Sequence, residues 1–331
     1  MPGLIEVPQF KTITVKELHP TFAAEVEGVD FQNLTEEQFR EVVAAVTKTE
    51  RLQYGVCIFR NTGMGDDAHV EFSRRFGELD DVKRYLTGDR KLRYQHVELF
   101  DAGNVDEDGN ILDPESPRAH YNRGNRLFHV DSSFNPRRAS FSLLRAFELP
   151  PPGNGGNTEF ADSRTAFDEL PDDLKDELLS QDYVAAHTVL QSRKLGSPEF
   201  FKDLDTTAIK MARHKLVQRH EPSGRMNLYV SAHAHHIEGV PPEKSKALLD
   251  TLMRHATQEK YVVSVPWENV SDLVIWDNTC VMHRAVGGAF EGKYKRDLRR
   301  TTVHDSSPTA WGFNEGDVPQ GFNVSSRTLV A

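Results

Sequence analysis

Residues 127–134 read LFHVDSSF. Apolar residues run straight into a histidine, a carboxylate and two serines, as happens where a strand reaches the mouth of a barrel. Residues two apart on a strand face the same way, so His129 and Asp131 would offer an imidazole and a carboxylate to one metal ion. The pattern is cheap, because His69/Glu71, His96/Glu98 and His236/Glu238 share it. His69/Glu71 lies in DDAHVEFSRRFG (66–77), which has helical periodicity, and two residues there diverge by about 200° around the axis. His96/Glu98, beside Arg93 and Tyr94, reads better as an exposed strand face. His236/Glu238 belongs to AHAHHIEG (232–239), where His233, His235 and His236 read as pocket lining or ordinary hydrogen-bonded histidines ahead of a metal cluster of their own.

A third ligand is needed, and LVIWDNTCVMHR (273–284) is a second buried strand that ends in a polar residue, His283. Two histidines and one carboxylate form a facial triad with open positions, which suits Fe(II) holding a chelating cosubstrate and O2. The same donors suit zinc with bound water, so a zinc hydrolase is the competing reading. A chelating 2-oxo acid brings a further carboxylate, and KRDLRRTTV (295–303) has cations to meet it. On a strand Arg296, Leu298 and Arg300 share one face while Asp297 and Arg299 share the other. A solvated basic strand is the plain alternative; two inward arginines in a chain of net charge −10 would imply a pair of anionic ligands.

Around these segments, 331 residues with 38% hydrophobic and 27% charged content describe a globular chain able to bury a core. Fifty Asp and Glu against forty Lys and Arg argue against nucleic acid as a partner. Neither a secretory leader nor a membrane-spanning run is visible, and Cys57 and Cys280 sit singly in apolar runs, so a reducing, cytoplasmic setting is expected. The first 90 or so residues read as mixed α/β. Residues 12–31 look extended, Thr35 and Gln38 make a capping box before a helix, YGVCIFRN (54–61) is a buried strand, and 66–77 is a helix closed by Gly77. Strands dominate from about 91 to 305, among them KLRYQHVEL (91–99), LFHVDSSF, SFSLLRAFEL (140–149) and DLVIWDN (272–278). Helices are expected at 163–181, broken at Pro171, and at 241–257; 182–215 reads as a lid or loops, and 306–331 as a tail. With no linker in view, the chain is expected to be one domain, mainly β with helical decorations.

These residues together resemble the Fe(II)/2-oxoglutarate-dependent dioxygenases of the taurine and 2,4-dichlorophenoxyacetate group. The likeness covers most of the chain: LHPTFAAEVEGVDF, FSRRFGEL, FHVDSSF, GGNTEFADSRTAFDELP, AHAHHIEGV, WDNTCVMHR and RDLRRTT occur in order. GNTEF, AHxxHxEG and WDNxCVxHR are similar to the 2,4-dichlorophenoxyacetate branch. The resemblance implies a double-stranded β-helix (jelly-roll) core in a single catalytic domain. It implies iron on His129, Asp131 and His283, the distal carboxylate of 2-oxoglutarate on Thr158 and Arg296, and the substrate's anionic group on Arg300. Lys83, Asn104 and the AHAHHIEG histidines align with the region that shapes the substrate pocket.

The reaction implied is oxidative decarboxylation of 2-oxoglutarate to succinate and CO2, coupled to hydroxylation of a small anionic, carboxylate-bearing molecule. If the attacked carbon bears an ether oxygen, the product collapses with ether cleavage. The alternatives are the same chemistry on a sulfonate, a xanthine or an amino-acid-derived acid, the zinc hydrolase, and a noncatalytic barrel. The family often forms homo-oligomers, and no surface is marked for it in the sequence. The chain departs from the family pattern in RAVGGAFEGKYK (284–295), which is longer, in Thr279 where an arginine is usual, and in an extended insert at 104–125.

Overall fold

The computed structural model describes residues 10–47, 54–86 and 91–316. The chain begins with strands β1 (Thr14–Glu17) and β2 (Ala24–Glu27), helix α1 (Glu36–Thr47), β3 (Val56–Phe59), α2 (Asp66–Arg74), β4 (Phe100–Asp101) and α3 (Pro117–Asn122). Next come β5 (Ala139–Glu148), β6 (Thr158–Asp162), α4 (Ser163–Asp168), α5 (Asp172–Gln181), β7 (Val184–His187), α6 (Val189–Gly196) and β8 (Ala212–Lys215). The hairpin β9 (Val217–Arg219) and β10 (Met226–Leu228) leads to β11 (Ala234–Ile237) and α7 (Pro242–Ala256). Last are β12 (Val262–Val265), β13 (Leu273–Asp277), β14 (Val281–Ala285) and β15 (Asp297–His304). The architecture is mainly β with helices. Among the described residues no helix is long and apolar enough to cross a membrane.

A seven-stranded sheet runs β1-β2-β3-β13-β5-β15-β4, and smaller sheets run β12-β6-β14 and β11-β7-β8. The period-2 alternation of the strands sorts their side chains into layers. On β13, Leu273 and Ile275 pack with Val42, Ala45 and Val46 of α1 on one face of the large sheet. Val274 and Trp276 point the other way, into a core shared with Leu144 and Leu298 of the large sheet and Phe160, Val265 and Val281 of the small one. On β14, Met282 leaves that core for the cluster that includes Leu248, Leu249 and Leu252 of α7. The order is therefore helix, large sheet, shared core, small sheets, helix, and His283, on the face of Val281, looks into the shared core.

The local signals act where they are read. Thr35 Oγ1 accepts from Gln38 N at 3.1 Å at the start of α1, but the Gln38 side chain donates to Gly28 O, so only half of the capping box forms. Gly77 closes the turn after α2 with φ +147°. Three expectations fail. Residues 91–99 make turns: Leu99 N bonds back to His96 O, Val97 O accepts from Val82 N of the 3₁₀ turn, and only Phe100–Asp101 pairs with β15. LFHVDSSF is not a strand: only His129 joins a ladder, exchanging both backbone hydrogen bonds with His283 at 2.9 Å. Residues 182–215 are not simply loops, since β7 pairs with β8 and β11 and α6 lies between them. Ala185 and Ala186 are buried on both faces of β7, which erases the alternation that betrays a strand. Part of the expected tail, 317–331, lies outside the described residues.

Candidate active site

The reciprocal bridge between His129 and His283 sets the two imidazoles side by side, with ring centroids 4.3 Å apart. Past Val130 the chain turns through Ser132, whose φ is +55°, and the turn brings Asp131 under both rings. His129 Nε2 lies 3.9 Å from Asp131 Oδ1 and His283 Nε2 lies 3.7 Å from Asp131 Oδ2. These gaps are too long for hydrogen bonds and short enough for one cation to bridge. His129 Nδ1 donates to Leu127 O at 2.7 Å, which leaves Nε2 as the lone-pair nitrogen facing Asp131.

All three side chains are buried. Burial pushes His129 down to about 4, against the opposing pull of Asp131 and the Leu127 carbonyl. Burial likewise drives His283 well below the ordinary histidine value. For Asp131 burial works upward, but Arg300, His283, His129 and the Ser142 hydroxyl outweigh it and keep the carboxyl below its usual range. At neutral pH the cluster is two neutral imidazoles and a carboxylate, the protonation states a divalent metal requires.

A relay holds the carboxylate. Ser142 Oγ donates to Asp131 Oδ2 at 2.8 Å and accepts from Asn278 Nδ2 at 2.9 Å. Asn278 Oδ1 accepts from Asp131 N and from Trp276 Nε1. Neither Ser142 nor Asn278 is identifiable as functional from spacing. The available signal is the inward face of β5, on which Ser142 interrupts an apolar run with Leu144 and Ala146.

Alternation on β15 separates the arginines as the sequence pattern requires. Arg299 lies on the outer face, paired with Asp66 and Asp297 and stacked 3.4 Å over Phe147. Arg296 and Arg300 take the inner face with Leu298. Arg296 is buried, and burial pulls it down to about 10. Among the described residues it has no carboxylate partner; Nε donates to Gly156 O at 2.7 Å and Nη1 to Ala102 O at 3.3 Å. Thr158, at the start of β6, is buried and accepts from Trp267 Nε1. Arg300 Nη1 sits 2.6 Å from Asp131 Oδ1, so in this structure it is paired with the carboxylate of the triad.

The family described as taurine catabolism dioxygenase TauD, TfdA family matches residues 14–302. The chain belongs to the TauD/TfdA family. It is 37% identical over 301 residues to the alpha-ketoglutarate-dependent 2,4-dichlorophenoxyacetate dioxygenase of Cupriavidus pinatubonensis, covering 89% of this chain and 99% of that protein. It is 29% identical to the (S)-phenoxypropionate/alpha-ketoglutarate-dioxygenase of Sphingobium herbicidovorans, over 82% of this chain and 88% of that one. The solved structure of AAD-2 in complex with Mn(II) and N-oxalylglycine superposes with a TM-score of 0.81 at 36% identity, covering 90% of this chain and all of that chain.

Two adjoining cavities open in this TauD/TfdA family member. One is lined by Arg296, Asn104, Phe290 and Arg126, the other by His129, Asp131, Arg300, Phe134 and His233. Asn104, expected to shape the substrate pocket, sits on the Arg296 side and is spent on backbone: Oδ1 accepts from Arg296 N at 2.7 Å and Nδ2 donates to Tyr294 O. Lys83 is exposed and does not line either cavity, because Asp81 caps the short 3₁₀ turn at Lys83 N and turns its neighbour Val82 inward. Tyr85, two residues on, takes the wall that Lys83 was expected to supply. Of the three AHAHHIEG histidines only His233 reaches the site, its ring 5.3 Å from that of His129. His235 and His236 bond to each other on β11, and Glu238 pairs with Arg213. Sequence reading missed Arg193, which α6 delivers into the same cavity.

Proposed function

We propose that the chain is an Fe(II)/2-oxoglutarate-dependent dioxygenase that couples oxidative decarboxylation of 2-oxoglutarate to hydroxylation of a small organic acid, with ether cleavage where the attacked carbon bears an ether oxygen. The observation that carries the reading is the buried meeting of two neutral imidazoles and an ionised carboxylate, with Arg296, a buried cation that among the described residues bonds only to carbonyls, in the wall of the adjoining cavity. His129, Asp131 and His283 would hold the iron, which when bound supplies the redox and Lewis-acid chemistry for O2 and the 2-oxo acid. Arg296, with Thr158 beside the Gly156 turn, would take the distal carboxylate of 2-oxoglutarate. The guanidinium of Arg296 is already desolvated, so its bond to an arriving carboxylate is strong and directional. Arg300 keeps Asp131 ionised and has further donors for the substrate's acid. Phe134, Phe100 and Tyr85 shield the cavity from water and suit a flat apolar body.

The relatives that act on 2,4-dichlorophenoxyacetate and (S)-phenoxypropionate support aryloxy acids as the substrate class. The same reading makes the two facing sheets a double-stranded β-helix within one catalytic domain. The test is an anaerobic visible spectrum with Fe(II), before and after 2-oxoglutarate, for the wild type and His283→Ala. A charge-transfer band in the wild type alone is expected. Its absence from the wild type, with activity that needs neither O2 nor 2-oxoglutarate, would sink the reading in favour of a hydrolase.

A further inference from the structure

The cavity in front of His129 holds three carboxylates and two arginines. Each carboxylate has an arginine of its own: Asp131 pairs with Arg300, Asp101 with Arg93 and Arg118, and Asp80 with Arg84. Arg193 is different. Its side chain is 6% exposed, and among the described residues it has no carboxylate partner. Nη1 donates to the neutral amide oxygen of Asn125 at 2.7 Å, Nε has no partner, and the guanidinium lies 4.1 Å over the ring of Tyr121.

The placement is built into the backbone. A Cβ on Gly124 would come within 2.5 Å of Arg193 Nη1 and 2.9 Å of Ser192 O, and one on Gly196 within 2.6 Å of Gly124 N. Two glycines thus let α6 press against the 3₁₀ turn Arg123–Arg126 so closely that the Arg193 side chain is threaded into the cavity. A buried, permanently charged group without a counter-ion is costly to keep and is a ready seat for an arriving anion.

We propose that Arg193 is a specificity-determining residue of this site, receiving the anionic group of an organic acid substrate from α6, separately from Arg300 on β15. The inference rests on the dioxygenase reading only for the chemistry that follows binding. The ligand class is a small acid whose apolar body lies among Tyr121, Phe134 and Val189.

The experiment is an equilibrium titration without turnover, with Mn(II) and N-oxalylglycine present, using 2,4-dichlorophenoxyacetate, (S)-phenoxypropionate and the neutral amide of the first. The proteins are wild type, Arg193→Gln, Arg193→Lys and Asn125→Asp. Asn125→Asp matters because it leaves the arginine in place and gives it a carboxylate of the same shape, so it decides the matter if Arg193→Gln folds poorly. The Kd for at least one acid rises tenfold or more in Arg193→Gln and Asn125→Asp and less in Arg193→Lys, while the Kd for the amide and, in separate turnover assays with Fe(II), the KM for 2-oxoglutarate stay within twofold. An unchanged acid Kd in both variants overturns the proposal, as does equal loss for acid and amide, which marks Arg193 as structural. A wild type that binds no acid overturns it too. Arg193-dependent acid binding in a wild type that never converts 2-oxoglutarate to succinate keeps the inference and overturns the dioxygenase reading.

Discussion

Replacing Ser142 by alanine removes one oxygen from a fully buried position and should weaken metal binding without touching a ligand. The hydroxyl donates to Asp131 Oδ2 at 2.8 Å and accepts from Asn278 Nδ2 at 2.9 Å, so the carboxylate loses a donor and the amide loses an acceptor. A hydrogen bond to a charged group contributes about 1.5–3 kcal/mol. At about 1.4 kcal/mol per factor of ten this is roughly a tenfold to hundredfold loss of affinity, the range typical of groups that orient metal ligands. Mn(II) titration followed by electron paramagnetic resonance measures it with no complication from oxidation. Ser140→Ala is the control, because the Ser140 hydroxyl, on the same strand, donates to the carbonyls of Val303 and His304, and the backbone carbonyl that accepts from Asn278 N is kept in the variant. An Mn(II) affinity within twofold of wild type in Ser142→Ala, at unchanged melting temperature, would refute the assignment of Asp131 as a ligand held by this relay.

Arg296→Gln should raise the KM for 2-oxoglutarate at least tenfold and leave the Kd for acid substrates within twofold, read from succinate formation at varied cosubstrate. Gly124→Ala should displace α6 and Arg193, costing about 1–3 kcal/mol of stability by urea denaturation and weakening acid binding selectively. His69, His187 and His214 are held neutral, with burial as the main cause, at about 3, about 3 and about 4. Their folded values lie below the unfolded value, so the unfolded chain binds more protons below about pH 6.5, and the stability they confer is full above that pH and is lost as pH falls toward the folded values. Each adds about 1.4 kcal/mol per pH unit to the slope there; His187→Gln should flatten the slope between pH 5 and 6 by that amount, measured by urea melts at each pH.

The metal-facing chemistry was legible because it is written in short, local patterns. His129 and Asp131 are two residues apart, His283 ends an apolar run, and the alternation of Arg296, Leu298 and Arg300 survives folding because β15 is a real strand. The same reasoning misjudged the backbone under His129, since a single bridged residue followed by a turn aims two side chains at one point as well as a strand does. Lys83 and Asn104 were placed by alignment of regions rather than by a physical constraint. A capped turn leaves Lys83 exposed, and backbone contacts occupy the amide of Asn104 in the wall of the Arg296 cavity.

Composition and spacing were enough to name a mainly β chain and to rank His129, Asp131 and His283 and an inward pair of arginines as candidates, because side-chain direction on a strand follows from the chain's own geometry; the family resemblance made the choice among them. Which partners those groups meet was decided only in three dimensions. Ser142 reaches Asp131 through the pairing of β5 with β13 and β15 and through Asn278, and Arg300 finds Asp131 across the shared core. Arg193 enters the cavity because two glycines far apart in sequence let a helix and a turn touch. Contacts of that kind depend on the packing of distant segments, and no periodicity within either segment records them.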